Sequence, residues 1–536
     1  MYRIDRLLAP VFCLALSLTS IPAWAQAGTN PTVSDGASNT AGGSGALSGA
    51  LNNANSDNSS GNTAFGDSAL TANTSGSSNT AVGYGALANT TTGANNTATG
   101  SGALISNTTT SSNTADGYDA LAYNTSGTGN TATGFQALEN FQTGKNNTAT
   151  GYDALLGSIN GSVYSTGSDN TATGFEALAN NTTGSSNTAT GTVALAQNTT
   201  GGNNTANGGG ALFTNTAGNY NTAIGWDTLN SNTTGSFNTA TGSQSLNNNT
   251  SGADNTVAGY QAMQNNTTGY SNTAEGYTAM QDNTTGAGNT ASGWGALLHN
   301  TDGNQNTAFG KQALGSATTG HNNLALGYLA GYTLTTGSNN IDIGGNAASG
   351  SESDTIRIGS STQTATFIAG ISGVNVSGAP VQVLSNGQLG VMMSSARYKQ
   401  DIQPMADSSE PLMRLKPVTF HYKQDPQGDL QYGLIAEDVA RVYPELVIKD
   451  ETGQVQTIRY QELTPMLLNE VQKQARALKQ KDAQIEELQH KIAQVDAQRQ
   501  QIAADHQQMD ALALRLSALE RQASIAGSMT VAAAVH

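Results

Sequence analysis

The stretch "NTATGFEALANNTTGSS", residues 170–186, is one unit of a repeat that decides the fold of this chain. Units of this kind follow one another at a spacing of seventeen residues, with two spacings of twenty-three at 39–62 and 147–170. The Asn that opens each unit is residue 39, 62, 79, 96, 113, 130, 147, 170, 187, 204, 221, 238, 255, 272, 289, 306, 323 and 340. Helical repeats run from about 33 residues upward. The spacing therefore favours one coil of a β-solenoid, with two short strands and two turns.

Each part of the unit has a physical role. The T-A-x-G segment alternates small residues, and the A-L or A-M pair supplies one apolar side chain, for example at Leu87, Leu121, Leu178, Met263 and Leu297. The N-T-T-G segment is typical of a turn, because Asn tolerates the left-handed region and Gly supplies positive φ. The many N-x-T tripeptides also match the glycosylation sequon, but we interpret them as turn and ladder residues.

One coil buries little apolar surface. A single Ala-Leu pair cannot offset roughly 1–2 kcal/mol of backbone entropy for each residue. We expect coils to stack through Asn and Thr ladders, and chains to associate so that small Ala and Gly faces meet at a shared axis. The fold class is therefore mainly β, a trimeric β-solenoid shaft over residues 62–359, preceded by a lead-in at 26–61 that holds the first repeat. The alternative is an unstructured linker, which would not require a strict period.

The composition restricts the partners. The chain has 536 residues, only 11% of them charged, and a net charge of −16. Proteins that bind nucleic acid need basic patches, so the negative net charge argues against nucleic acid as a partner. Between Leu7 and Thr355 the only basic residues are Lys145 and Lys311, whereas sixteen follow from Ser394 onward.

Residues 1–25 have the pattern of a secretory signal peptide. Arg3 and Arg6 precede the apolar run "LLAPVFCLALSLTSI", and "AWA" supplies a cleavage site before Gln26. The alternative, a transmembrane anchor, needs about 20 apolar residues. Cys13 is the only cysteine and would leave with this segment, so no disulfide is expected. The chain is predicted to be secreted or displayed at the surface of a bacterium, with no membrane span after signal removal.

The pattern changes after the repeats. Residues 360–393 are rich in Ile, Val and Thr and predict a β neck, with a hairpin at "VLSNGQLGV" turning at Asn386 and Gly387. Residues 394–474 predict an α+β domain with strands at "PVTFHYK" and "QVQTIRY" and a helix at 435–442. Within it, we interpret Glu437, Asp438 and His421 as surface residues, since adjacent helical acids do not face together.

The last part of the chain predicts a trimeric coiled coil at 475–523 and a tail at 524–536. Apolar residues recur at seven or multiples of seven. The two sets are Val471, Leu478, Ile485 and Ile492, and Leu467, Leu488, Val495, Ile502, Met509 and Leu516. Arg499 and His506 interrupt the first set. A parallel trimer would match the three-fold association expected of the shaft.

Four segments resemble the endosialidase-type intramolecular chaperone family in the right order. They are "SSARYKQDI", "LKPVTFHYK", "YGLIAEDVARVYPELV" and "IRYQELTPMLLNEVQKQ". The resemblance implies a domain that promotes trimerisation and then cuts itself off, with Ser394 as nucleophile, Lys399 as base and the bond between Met393 and Ser394 as the cleavage site. The family commonly has Asp after the Ser and Leu before the Lys, where this chain has Ser395 and Tyr398. Ser395 is therefore the alternative nucleophile.

The chemistry of this pair can be tied to assembly. A Ser hydroxyl needs an adjacent base, and a lysine can serve only when its pKa falls. Burial lowers the pKa of a lysine because the charged form loses water. We therefore hypothesise that the pair becomes buried, and cleavage occurs, when three chains pack. Arg397 would favour a neutral lysine or stabilise the oxyanion.

The repeats at 39–359 resemble the head domains of trimeric autotransporter adhesins, whose units also read N-x-x-A-x-G. We therefore interpret the chain as a secreted homotrimeric fibre or adhesin, with the chain itself and a host-surface or glycan receptor as candidate partners. No cofactor or metal pattern is present, and any enzymatic activity is a single-turnover self-cleavage. The alternatives are a prophage tail fibre and a glycan-acting, tailspike-like enzyme. The acids that such an enzyme needs are scattered singly, as at Asp116, Asp153 and Glu176.

Overall fold

The computed structural model describes residues 33–34, 38–51, 59–158, 165–345, 349–360, 362–368, 378, 380–384, 387–450 and 452–531. The chain divides into two compact units, Met1–Phe367 and Ile368–His536. The signal peptide at 1–25, with Cys13, lies outside the described residues, and the predicted domain boundaries stay predictions.

The first unit is a long parallel β-solenoid, as the repeat predicted. Each coil gives one strand of three residues on the T-A-x segment, and neighbouring strands pair in register, Ala172 with Ala189 for example. A short antiparallel strand, β1 (Val33–Ser34), precedes the first coil, which also carries helix α1 (Ser48–Leu51). The parallel strands are β2 Thr40–Gly42, β3 Thr63–Phe65, β4 Thr80–Val82, β5 Thr97–Thr99, β6 Thr114–Asp116, β7 Thr131–Thr133, β8 Thr148–Thr150, β9 Thr171–Thr173, β10 Thr188–Thr190, β11 Thr205–Asn207, β12 Thr222–Ile224, β13 Thr239–Thr241, β14 Thr256–Ala258, β15 Thr273–Glu275, β16 Thr290–Ser292, β17 Thr307–Phe309, β18 Leu324–Leu326, β19 Ile341–Ile343 and β20 Ile356–Ile358.

The core lies inside each coil. In β9 the two Thr side chains point outward while Ala172 points inward, because side chains alternate along a strand. Ala177 and Leu178 complete the layer, and all three are fully buried. The expectation that small Ala faces meet between chains is therefore wrong, since these Ala residues are already covered by their own coil.

Each coil has one strand, not the two that were expected. The opposite limb is built from turns, with Gly174 at φ +135°, Glu176 at +51° and Leu178 at +56°. A left-handed Leu is uncommon because its Cβ crowds the backbone. Here the Leu178 N–H donates to the Ala194 oxygen of the next coil at 2.9 Å, so stacking holds the conformation.

The glycine of N-T-T-G has a different role from the one expected. Gly184 does not adopt positive φ; a Cβ at this position would overlap the carbonyl oxygen of Gly201 in the next coil. The prediction of a left-handed glycine here is wrong. The residue is small because two backbones approach closely.

Buried Asn ladders run along the solenoid, as predicted. The Asn187 N–H donates to Asn170 Oδ1 at 3.0 Å, and its Nδ2 donates to Asn170 Oδ1 and to the Gly201 oxygen. In a second ladder, Asn198 Nδ2 donates to Asn181 Oδ1 at 2.7 Å. Asn181 and Asn198 also open N-x-T tripeptides and are fully buried, so in the folded coil they are ladder residues and not exposed sugar acceptors.

The second unit is α+β, as predicted. It contains the hairpin of β21 (Val381–Val383) and β22 (Leu389–Val391) and the pairs β23 (Val418–Phe420) with β24 (Gln431–Gly433) and β25 (Val447–Lys449) with β26 (Val455–Ile458). Its helices are α2 (Ala436–Val442) and α3 (Tyr460–Val531), with short 3₁₀ helices at Ala396–Tyr398, Ala406–Arg414 and Pro444–Leu446. The predicted hairpin turn lies in part outside the described residues, since Asn386 is one of those left out.

A small apolar core centres on Val439 of α2, which is almost fully buried. Its partners are Leu412, Tyr443, Leu446, Val447, Ile458, Leu463 and Met466. Beside this core, Ser409 Oγ donates to Glu470 Oε1 at 2.6 Å and accepts from Asn469 Nδ2 at 2.6 Å. These bonds tie the Ala406–Arg414 helix to the first turns of α3.

Beyond this core, α3 continues as a helix whose heptad residues are uncovered. The ten apolar residues predicted for the coiled coil are between 47% and 67% exposed. The helix is confirmed, whereas its association with other copies stays a prediction. Within the described residues, none of the helices has the length and apolar character needed to cross a bilayer.

Candidate self-cleavage site

A single turn of helix brings the predicted Ser and Lys together. Ser395 is extended, with φ −64° and ψ 142°, and the 3₁₀ helix Ala396–Tyr398 follows it directly. The Tyr398 N–H donates to the Ser395 oxygen and the Lys399 N–H to the Ala396 oxygen, both at 3.0 Å. This turn reverses the chain, so that the side chain of Lys399 returns towards Ser394.

The two predicted catalytic residues are hydrogen-bonded. Lys399 Nζ lies 3.3 Å from Ser394 Oγ. This separation is slightly longer than the range in which a general base takes a proton, and such contacts often tighten in the reacting state. Met393, whose carbonyl would be attacked, is exposed just before Ser394.

The neighbouring side chains of the motif are arranged differently. The guanidinium of Arg397 lies over the ring of Tyr398, 4.9 Å from its centroid, and so is engaged by a cation–π contact. Ser395, the alternative nucleophile, makes no side-chain capping bond to the helix that follows. The lysine contact goes to Ser394, which favours Ser394 over Ser395.

The site is fully open in the single chain. Ser394, Lys399 and every residue between them are exposed to solvent. A lysine that acts as a base generally requires burial or a nearby cation to lower its pKa. The single chain supplies reach and geometry for the pair but does not bury it.

Several acids of this unit form ordinary ion pairs, and Glu437 is exposed. Asp438 bonds Arg441 at 2.9 Å one turn along α2, and Lys473 bonds Asp407 at 2.9 Å. The contact with Lys473 lowers the pKa of Asp407. His421 is exposed immediately after β23. These residues therefore show the surface roles that were expected.

The acids of the shaft are less scattered than the sequence indicated. Burial raises the pKa of Asp153 to about 6, and the charge of Glu176 adds to the rise. Burial likewise raises the pKa of Glu139, with the charges of Asp119 and Asp153 adding. Acids that lie many residues apart thus share one region of the surface, because coils stack. Asp116 points outward from β6.

The sequence analysis missed an aromatic column on the shaft. The fifth residue after the repeat Asn is an exposed ring in most coils. These residues are Tyr84, Tyr118, Phe135, Tyr152, Phe175, Trp226, Tyr260, Tyr277, Trp294 and Tyr328. The signal was present in the repeat itself, since residues seventeen apart occupy the same place in successive coils.

Comparison with known proteins bears on the C-terminal segment. No curated protein and no solved structure matches this chain. Residues 394–448 match the family model described as chaperone of endosialidase. The match begins at Ser394, the first residue of the predicted pair. The chain therefore carries a β-solenoid shaft and, later in the sequence, a segment that matches the endosialidase chaperone family, a combination that suggests a fibre or tailspike-like protein.

Proposed function

We propose that this chain is a secreted homotrimeric fibre or adhesin whose C-terminal domain drives assembly and then releases itself. The observation that carries the proposal is the contact between Lys399 Nζ and Ser394 Oγ at the first residues of the matched segment. The shaft is the part retained after cleavage, and residues 1–25 supply the export signal.

The cleavage follows from the position of the hydroxyl. Lys399 Nζ, in its neutral form, takes the proton of Ser394 Oγ as the oxygen attacks the carbonyl carbon of Met393. The peptide C–N bond breaks, the proton passes to the leaving nitrogen of Ser394, and an ester joins Met393 to Ser394 Oγ. Water hydrolyses this ester, which leaves a carboxylate on Met393 and a free amine on Ser394.

Uncovered apolar surface supports association of identical chains. The heptad residues of α3 are exposed along the helix. In the last strands of the solenoid the outward residues change from Thr to Leu324, Leu326, Ile356 and Ile358, all exposed. Apolar strips of this kind mark contacts between proteins. In a trimer, the heptad residues of α3 and the outward residues of β18 and β20 would be covered. Packing of the three chains would also bury Ser394 and Lys399.

The test is the mass and assembly state of the chain lacking residues 1–25, beside its Ser394→Ala and Ser395→Ala variants. We expect fragments 26–393 and 394–536 from the parent and from Ser395→Ala, one intact chain from Ser394→Ala, and trimers by light scattering. An intact parent would remove self-cleavage from the proposal, and a monomer would remove the homotrimer.

Export is tested separately. Expression of the whole chain in a bacterial host with a secretory pathway should give a mature protein that begins at Gln26. A cytoplasmic product that begins at residue 1 would contradict the proposed location and would favour a virion fibre.

A glycan-acting enzyme is the second candidate. Two neighbouring acids, Asp153 and Glu176, favour it. Burial and the charge of Glu176 raise the pKa of Asp153 to about 6, and a general acid requires a raised pKa of this kind. Release of reducing sugar from polysaccharides by the parent, lost in Asp153→Asn, would support it. Equal rates for parent and variant would assign these acids no catalytic role.

A further inference from the structure

The aromatic column has a fixed ring orientation. Tyr118, Phe135, Tyr152 and Phe175 stack in succession, with centroids 5.0–5.4 Å apart and ring planes within 14° of parallel. Tyr260 and Tyr277 stack in the same way at 5.4 Å. A ring at this position therefore presents its faces along the axis of the shaft, towards the coils above and below.

One coil lacks its ring between two that have one. Ser243 occupies this position between Trp226 and Tyr260, which are 58% and 43% exposed. Trp226 leans towards Gly209 on its other side, with Cδ1 3.4 Å from the place of a glycine Cβ. Two coil steps span about 10 Å at the spacing of neighbouring strands. Since filled positions place one ring about every 5 Å, the gap over Ser243 is wide enough for one flat ring.

Polar groups border this gap. Gln244 and Gln261 each follow the column residue of their coil and lie in adjacent coils. Gln261 Nε2 donates to Gln244 Oε1 at 2.9 Å. The Asp227 carboxylate lies on the other side of its coil, because Asn230 Nδ2 donates both to Asp227 Oδ1 and to the Gly210 oxygen of the preceding coil. The bond between Gln261 and Gln244 holds the two amides beside the gap, where they can bind hydroxyl groups.

We infer that Trp226, Ser243 and Tyr260 form a slot that binds one pyranose ring of an uncharged polysaccharide. A pyranose has flat C–H faces that pack on aromatic rings and equatorial hydroxyls that reach the Gln244 and Gln261 side chains. An aromatic side chain of a peptide would fill the gap but would offer no hydroxyl groups to these amides. Acidic glycans are disfavoured, because the chain has no Lys or Arg between Lys145 and Lys311.

A second gap lacks this border. Ser101 lies between Tyr84 and Tyr118 in the column. However, Tyr84 is followed by Gly85 and Ser101 is followed by Gly102. Glycine offers no side-chain partner for a hydroxyl. We therefore assign the sugar to the slot at Ser243 and expect weaker binding at Ser101.

The slot has its own optical probe. Without residues 1–25 the chain retains two tryptophans, Trp226 and Trp294. Trp294 is flanked by Tyr277, with ring centroids 6.4 Å apart, and by Lys311 Nζ, 4.7 Å from the centroid of its ring. In a Trp294→Phe background, the emission of Trp226 reports on the slot alone.

The experiment titrates this background with cellohexaose, laminarihexaose, maltohexaose and chitohexaose. We expect a saturable change in Trp226 emission with at least one of them. Ser243→Phe should abolish it, because the new ring completes the stack and fills the slot. Thr192→Phe, which places the same ring at the same column position in another coil, should bind as the parent does.

A second variant covers a failure of Ser243→Phe to fold. Gln261→Ala leaves the rings in place and removes one bordering amide, and should weaken binding at least 10-fold, about 1.4 kcal/mol. A flat response to all four sugars would overturn the inference, as would undiminished binding by both variants. A response to a phenylalanine-containing hexapeptide alone would overturn it in favour of a protein partner.

The inferred sugar binding depends on the proposed fibre function only for its biological role. Sugar binding by the mature shaft does not require self-cleavage or the coiled coil. Failure of the titration would leave the cleavage and assembly results unaffected, and the reverse also holds.

Discussion

Asp342 and Arg357 face each other across strands β19 and β20, at the inward position that earlier strands give to Ala or Val. Asp342 is only 2% exposed, and Arg357 also bonds Glu352. Burial raises the pKa of Asp342 to about 6; the charge of Arg357 opposes this rise and that of Glu352 adds to it. The apolar core thus ends in a charged layer, as terminal units of repeat proteins often differ from internal ones.

This layer predicts a pH dependence at the end of the solenoid. An unfolded Asp titrates near 3.9, so the folded form binds a proton more readily and its stability falls as the pH rises from about 4 to about 6. Asp342→Asn should remove that slope and be the more stable form above about pH 6. Hydrogen exchange of β19 and β20, corrected for intrinsic rates, measures it. Asp354→Asn, an exposed acid of the same segment, is the control. Equal slopes for parent and Asp342→Asn would show that Asp342 does not titrate there.

The Asn ladder should be essential to local stability. Asn204→Ala leaves the buried Asn221 N–H without its acceptor and opens a cavity, so we expect a loss of about 2–4 kcal/mol. Urea unfolding followed by Trp226 emission in a Trp294→Phe background detects it, because Trp226 lies in the coil that begins at Asn221. Thr200→Ala, an exposed residue of the neighbouring coil, should cost little. Comparable losses for the two variants would mean that the ladder carries no special weight.

The close approach of coils at N-T-T-G gives a third prediction. In Gly201→Ala the new Cβ would overlap the Gly218 oxygen, and we expect a loss of about 1–3 kcal/mol. Its neighbour Gly202→Ala meets no atom nearer than the Ser185 oxygen at 3.1 Å and should cost less. The same unfolding assay compares them. The reverse order would show that the coils accommodate a methyl group at residue 201 and that their close approach there does not require glycine.

The features of the shaft that could be predicted from the sequence are those that recur in every repeat. A period of seventeen indicates the coil, and the invariant Asn indicates the ladder, because each copy meets the same residue of the next. The sequence could not show that Leu178 is left-handed, since a Leu in isolation avoids that region. It also could not show that Asp153 and Glu176 act on each other, because their distance is set by stacking across an enlarged coil.

The candidate site was predictable in its residues but not in its environment. The spacing of Ser394 and Lys399 needs only one helical turn to bring them together, and the structure has that turn. Both residues are exposed in the single chain, and a local pattern contains no information on surfaces that other copies would add. Exposed heptad residues on α3 indicate where such a surface is available.

The lysine itself can be tested by a substitution that keeps the charge. Lys399→Arg retains a cation near Ser394, but a guanidinium does not give up its proton in proteins and cannot act as a base. We expect trimers that stay intact by mass spectrometry. Lys416→Arg, at an exposed site in the same unit, should cleave as the parent does. Cleavage of Lys399→Arg at the parental rate would show that Lys399 is not the base.

Assembly and cleavage should be coupled through α3. The double variant Ile485→Asp with Leu488→Asp places two carboxylates in the exposed apolar seam, where association would have to bury them, and burial of unpaired charge is costly. We expect monomers by light scattering and, because the Ser-Lys pair then stays open to solvent, an intact chain by mass spectrometry. Ala483→Asp introduces the same residue at an outward heptad position and should remain trimeric and cleave. If the double variant is monomeric and still cleaves, the pair acts within one chain and burial by neighbouring copies is not what activates it. If it is trimeric, the seam does not hold the copies together, and the apolar outward residues of β18 and β20 become the next surface to change.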